Sequence, residues 1–129
     1  MLDKIEIMRM AQGMAAHAGA RQATIAQNVA QADTPGYRAR DIAPFSESYS
    51  NNTSTELRRT RAGHLGASDA ADGSEFRMIR SQGTEAPNGN TVSLETEMVK
   101  SAEVRQQHEM ALSIYKSSLD ILRASIGRR

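Results

Sequence analysis

The 129 residues contain no cysteine, which excludes disulfides, thiol nucleophiles and cysteine-ligated metals and leaves the redox state of the surroundings open. Tryptophan is also absent, and aromatic residues make up only 4% of the chain. The apolar fraction of 39% and the mean hydropathy of -0.54 are both low for a chain that must complete its own core. Nor is there an excess of charge of one sign. Sixteen basic residues against 15 acidic ones give a net charge of +1, so no long-range field favours nucleic acid or an acidic membrane. No apolar run is long enough to span a bilayer. The N-terminus carries Asp3, Lys4 and Glu6 among its apolar residues, and it lacks the basic start, unbroken apolar run and small-residue cleavage site of a secretory signal.

The large apolar side chains are gathered in the two terminal segments. Residues 3–31 read as one helix with a stripe at Met8, Ala11, Ala15, Ala18, Gln22, Ile25, Val29 and Ala32, whose spacings alternate three and four. Such a stripe winds left-handed around a partner helix, and its alanines allow close backbone approach. At 1.5 Å per residue the helix would span about 45 Å. A second apolar edge at Ile7, Met10 and Met14 exceeds what one partner helix covers. Gly13 and Gly19 mark either close backbone contacts or a soft helix.

A second long helix is expected to start at Ser93, an N-cap residue type, with Glu95 and Glu97 favoring the positive end of its dipole. Leu94, Met98 and Ala102 begin its apolar face, and Leu112, Tyr115, Leu119, Leu122 and Ile126 continue it. Arg105, Gln106 and His108 interrupt that face, which predicts a wetter middle opposite Gln22.

Between the helices, Thr34-Pro35-Gly36-Tyr37 reads as a type II turn, because Pro35 fixes its φ, disfavours the α region at Thr34, and is followed by a glycine that tolerates positive φ. An extended stretch follows over residues 37–42, with Arg38 and Arg40 on one side and Tyr37, Ala39 and Asp41 on the other. Residues 46–55 are nearly all Ser, Asn, Thr and acidic residues, and read as loop or disorder. Residues 75–80 fit a strand or hairpin arm, and residues 66–74 and 82–90 read as turns.

The motif Asn28-x-Ala30-x-Ala32-Asp33-Thr34-Pro35-Gly36-Tyr37 at the exit of the first helix resembles the flagellar axial proteins. The continuation Arg38-Ala39-Arg40-Asp41-Ile42, the Thr60-Arg61-x-x-His64-Leu65 pattern and residues 88–95 (Asn-Gly-Asn-Thr-Val-Ser-Leu-Glu) are similar to those of the small proximal-rod subunits. The resemblance implies a mainly all-α protein. Its two long terminal helices would form an antiparallel coiled-coil-like pair, joined through an irregular or small β-hairpin middle. Residues 1–42 and 92–129 would form one discontinuous domain around a polar, partly disordered middle over 43–91. It also implies a structural role in the basal-body rod, with export through the flagellar type III apparatus without cleavage. The implied partners are further copies of the chain, other rod proteins, the basal-body ring or rod-base adaptor proteins, and the export apparatus. Asn28, Ala30, Ala32, Asp33, Thr34, Pro35, Gly36 and Tyr37 carry the assembly motif on this reading. Met8, Ala11, Ala15, Ala18, Ile25 and Val29 would face Leu112, Tyr115, Leu119, Leu122 and Ile126 across the helix pair.

No constellation for catalysis, cofactor or metal binding is visible in the sequence, and neither a cofactor nor a small-molecule substrate is expected. His17, His64 and His108 fall in three segments without ligand spacing, and each reads as a surface or interface residue. Glu95 and Glu97 point in different directions on a helix and read as dipole partners, not an acid/base pair. Arg58, Arg59 and Arg61 form a local basic run, but with no aromatic platform beside them nucleic acid is not expected as a partner. A different class of function, a cytoplasmic helical-hairpin adaptor or chaperone for partner helices, fits the hydrophobic seam equally well.

Overall fold

The computed structural model describes residues 2–53 and 76–127. The arginine run at 58–61, the pattern ending at His64-Leu65 and the turns expected over 66–74 lie outside the described residues. The elements in chain order are α1 (Leu2–Ala30), β1 (Arg40–Ile42), α2 (Phe45–Thr53), β2 (Met78–Arg80) and α3 (Leu94–Ile126). The protein is mainly helical with a small two-stranded antiparallel sheet, and its two long helices pack against each other. Asn28 meets Glu97 while Gln22 meets Ser101, so the residue number falls along α1 as it rises along α3, and the pair is antiparallel.

Seven-residue spacing sets the seam. On α1 it is Ala11, Ala18 and Ile25; on α3 it is Glu97, Val104, Ala111 and Ser118, all buried. Ala18, Ile25 and Val104 form its apolar centre. Strict seven-residue repeats keep one face toward the partner only when the helices coil left-handed.

The seam on α3 is rotated from the stripe expected in the sequence. Leu112 is 50% exposed, Tyr115 36% and Ile126 76%, and Leu94 and Met98 are exposed as well, while Leu119 and Leu122 are half-buried. On α1, Met8 and Ala15 are half-buried and Val29 is 43% exposed. Two causes account for the rotation. The bond from Asn28 to Glu97 fixes which side of α3 faces α1 at the turn end, and the seven-residue repeat carries that azimuth on to Ala111 and Ser118. Small residues there also allow close approach. Arg105 and Gln106 consequently lie outside the seam, Val104 fills its centre between Ala18 and Ile25, and the polar contact at Gln22 is an exposed pair with Ser101.

α1 buries a second face, formed by His17, Thr24 and Asn28 with half-buried Arg21, against β1 and α2. β1 and β2 pair with Arg40 opposite Arg80, Asp41 opposite Ile79 and Ile42 opposite Met78. α2 replaces the loop expected for residues 46–53. Pro44 stands immediately before its first residue, and the Glu47 and Ser48 amides donate to the Pro44 carbonyl. Phe45 and Tyr49, one turn apart, pack with ring centroids 5.7 Å apart and planes tilted by 38°. Phe45 also reaches the Gly13 backbone, where an added Cβ would sit 3.4 Å from its ring, and the His17 ring lies 5.7 Å away. The helix is thus held by two aromatic side chains and a tertiary anchor against poor local propensity.

His17 is a core residue, only 4% exposed, and not a surface residue. Its Nε2 donates to the Ala43 carbonyl at 2.8 Å, which assigns the proton to that nitrogen because a carbonyl only accepts. Phe76 meets the same ring edge-on at 5.0 Å. One imidazole therefore ties α1 to the segments leading into α2 and β2.

Candidate functional site

The turn that follows α1 is held in place by two asparagines, one on each side. Asn28, fully buried near the end of α1, uses its whole hydrogen-bonding capacity. Its Oδ1 accepts from the Tyr37 hydroxyl and from the Arg40 amide, both at 3.1 Å. Its Nδ2 donates to the Arg40 carbonyl at 2.6 Å and to Glu97 Oε2 at 3.1 Å. One side chain thus fixes the far side of the turn, the edge of β1 and the azimuth of α3.

Asn90 does the same for the turn from the opposite strand of chain. Its Nδ2 lies 3.0, 2.7 and 2.9 Å from the carbonyls of Gln31, Ala32 and Thr34, which share its two hydrogens. These carbonyls lie in the turn just beyond the end of α1, where those of Gln31 and Thr34 also accept the amides of Thr34 and Tyr37. Its Oδ1 accepts from the Val92 amide at 2.7 Å, an Asx turn leading into α3.

Gly36 has φ +72° and the Tyr37 amide donates to the Thr34 carbonyl at 3.3 Å, as a type II turn requires. The Gly36 amide donates to the Asn88 carbonyl, the Thr91 amide to the Tyr37 carbonyl, and the Ala39 amide to Thr91 Oγ1. Gly89, at φ +81°, backs onto Gly36 so closely that a Cβ there would stand 3.4 Å from the Gly36 Cα. The loop over residues 86–91 and the motif turn are laminated backbone to backbone.

Beneath the clamp lies a buried charge cluster. Arg21 grips Asp41 with two bonds, Nε to Oδ1 at 2.9 Å and Nη2 to Oδ2 at 3.2 Å. Lys100 Nζ donates to Glu97 Oε1 at 3.0 Å and to Ser81 Oγ at 2.8 Å, and lies 3.6 Å from Asp41 Oδ2. Two cations and two anions therefore balance across α1, β1 and α3, and every buried side-chain nitrogen and oxygen among the described residues has a partner. Burial alone would raise the Asp41 pKa. The hydrogen bond from Arg21, the Ile42 amide and the charges of Arg21 and Lys100 outweigh burial and hold it below its ordinary value. The hydrogen bond to Asp41 likewise raises Arg21 above its usual range despite burial.

Of the residues singled out from the sequence motif, Asn28, Thr34, Gly36 and Tyr37 are joined in this network, and Ala32 contributes its carbonyl. Ala30, Asp33 and Pro35 are exposed around it. Glu97 is a buried partner of Asn28 and Lys100, beyond the dipole role expected for it, whereas Glu95 is exposed. Ser93 stands at the N-cap without a side-chain capping bond. Sequence reasoning missed Arg21 and Lys100, and named Asn90 and Thr91 only within the resemblance of residues 88–95, without a role in the turn. The spacing of Glu97 and Lys100, three apart on a helix, was a visible signal, and so was the Asn88-Gly89-Asn90 turn sequence.

Relatives of known name place the chain among known proteins. It is 31% identical over 120 residues to the flagellar basal body rod protein FlgB of Agrobacterium fabrum, covering 90% of this chain and 89% of that one. Similarity to the protein of the same name from Escherichia coli is 32% over 121 residues, 88% of each chain. To that of Salmonella typhimurium it is 30% over 127 residues, 92% of each. No family model matches. Similarity of this level over about nine-tenths of the chain means that the chain belongs to the FlgB family of flagellar basal body rod proteins.

Proposed function

We propose that the chain is a structural subunit of the proximal rod of the bacterial flagellar basal body. On this reading it polymerises with other rod proteins into the hollow shaft and export channel, and it reaches that place through the type III apparatus without a cleaved signal. The observation that supports assembly best is the apolar line that the helix pair leaves uncovered. Met98, Leu112 and Ile126 follow the α3 seam at one residue's offset, with half-buried Leu119 and exposed Arg105 at the intervening seven-residue positions, and Met98 and Ile126 are more than 70% exposed. A repeat of that kind suits a further helix laid alongside, which the chain itself does not provide among the described residues. The relatives, all named as rod proteins, supply the setting.

In this setting α1 and α3 act as the packing element, and the clamped turn sets the angle at which β1 leaves it. Subunits in contact through unlike surfaces build an open helical polymer when the rotation between neighbours does not close into a ring, and the rod reading takes that case. The test is complementation in the source cells deleted for this gene. The wild-type chain is expected to restore motility and to co-purify with basal bodies. Gly36→Val places a β-branched residue at positive φ, a strain of about 1–2 kcal/mol, and is expected to abolish both. A wild-type chain retained in the cytoplasm, bound to other helical proteins and absent from basal bodies, would instead establish the adaptor function.

A further inference from the structure

One face of the small sheet carries charge that the fold leaves unbalanced. Arg38 and Arg40 lie two apart on extended chain, and so share a side, while Arg40 stands directly opposite Arg80. The hydrogen-bond pattern brings this pair especially close. Ser81 donates to the Ala39 carbonyl and Ala43 to the Arg77 carbonyl, so the bonded pairs are those flanking Arg40 and Arg80. Residues at a non-bonded pair have their Cα atoms about 4.5 Å apart, and like charges there repel. Asp41, the nearest acid in sequence, points to the opposite face and is held by Arg21 and Lys100. Arg40 and Arg80 have no ion pair among the described residues, and Arg38 has only Glu85 at 3.9 Å, both side chains more than half exposed. Arg38, Arg40 and Arg80 line an open recess of about 340 Å³ together with Gly36 and Tyr37.

We infer that this recess receives an acidic protein segment, one presenting at least two carboxylates in an extended stretch. Guanidinium forks match carboxylates two bonds at a time, and a bound carboxylate between Arg40 and Arg80 would relieve the repulsion that the free chain tolerates. The backbone under the arginines is already fixed by Asn28, Thr91 and the paired strand, so little ordering accompanies docking. Phosphate polymers fit the chain less well. Its net charge of +1 gives none of the broad positive field they call for, and Tyr37, the one aromatic residue lining the recess, is half-buried with its hydroxyl committed to Asn28. The inference names the chemistry of one subunit contact and rests on the rod reading for its cellular consequence.

The informative variant is Arg80→Glu, because it acts with opposite sign on the fold and on the contact. Across the strands it sets Glu against Arg40, so the melting temperature is expected to equal or exceed that of the wild type. Entry into basal bodies and motility are expected to fall, with export unchanged. Arg80→Gln, which removes charge without adding any, is expected to give a smaller loss and serves if the Glu variant misfolds. Separately, a fluorescent hexaglutamate peptide titrated against the whole chain at low salt is expected to bind, with affinity roughly tenfold weaker for Arg40→Glu or Arg80→Glu. Tighter binding of a hexanucleotide than of the peptide, peptide binding indifferent to both variants, or no binding would each overturn the inference. So would full motility with Arg80→Glu. A wild-type chain that never reaches basal bodies refutes the rod reading instead, and the peptide titration still decides the nature of the recess.

Discussion

The two ends of the helix pair are built on different principles. At the turn end, Asn28, Asn90, Asp41 and Glu97 are buried polar residues, each joined to several partners, and the geometry they hold is overdetermined. Towards the other end the seam narrows to Ala11, Ala111 and Ser118, while Leu112, Tyr115, Ile121 and Ile126 face outwards. Hydrogen bonds are directional and expensive to leave unmade, so they specify one conformation; apolar surface has no direction and accepts a partner at whatever angle brings it into contact. The chain is therefore tightly specified where its backbone must take a particular course, and it leaves apolar surface exposed towards the other end.

The largest expected effect breaks the first end. Asn28→Ala orphans the Arg40 amide and carbonyl and removes a donor from the buried Glu97 carboxylate. The loss is expected to be about 3 kcal/mol in urea unfolding, at 1–3 kcal/mol for each buried group left unpaired, with hydrogen exchange accelerated first at the amides of residues 36–41. An intermediate effect comes from acid. The Asp41 pKa is lowered in the fold, so the stability it contributes is complete above the ordinary carboxylate range near 4 and disappears as pH falls from there through the depressed value. Unfolding followed between pH 6 and 2 is expected to show this loss, and Asp41→Asn to flatten it. The smallest effect sharpens the contrast. Leu112→Ala and Ile126→Ala, on the exposed face, are expected to change the stability of the isolated chain by less than about 0.5 kcal/mol while reducing incorporation into basal bodies.

How much of this was readable in the sequence follows the same division. Both long helices were legible from their periodicity, and the motif turn from Pro35 and Gly36, because each signal is local. The phase of α3 was not. Counting large aliphatic residues picks out Leu112, Leu119 and Ile126, whereas the seam is set by Glu97, which looks like an ordinary first-turn acid until Asn28 is seen beside it. α2 was illegible for the opposite reason. Its residues favour loops, and the contacts that hold it, Phe45 against Gly13 and His17, join positions more than 25 residues apart. Arg21 and Lys100 likewise gained their meaning only when the fold brought Asp41 between them.

The grip of Asn28 on Arg40 has one more consequence. By donating to the carbonyl and accepting from the amide of one residue, the carboxamide fills the ladder position that a third strand would take on the outer edge of β1. An exposed strand edge is a template for indiscriminate pairing between chains. With Arg40 occupied by a side chain of its own helix, β1 offers no free pair of backbone groups at that position for a second chain to join.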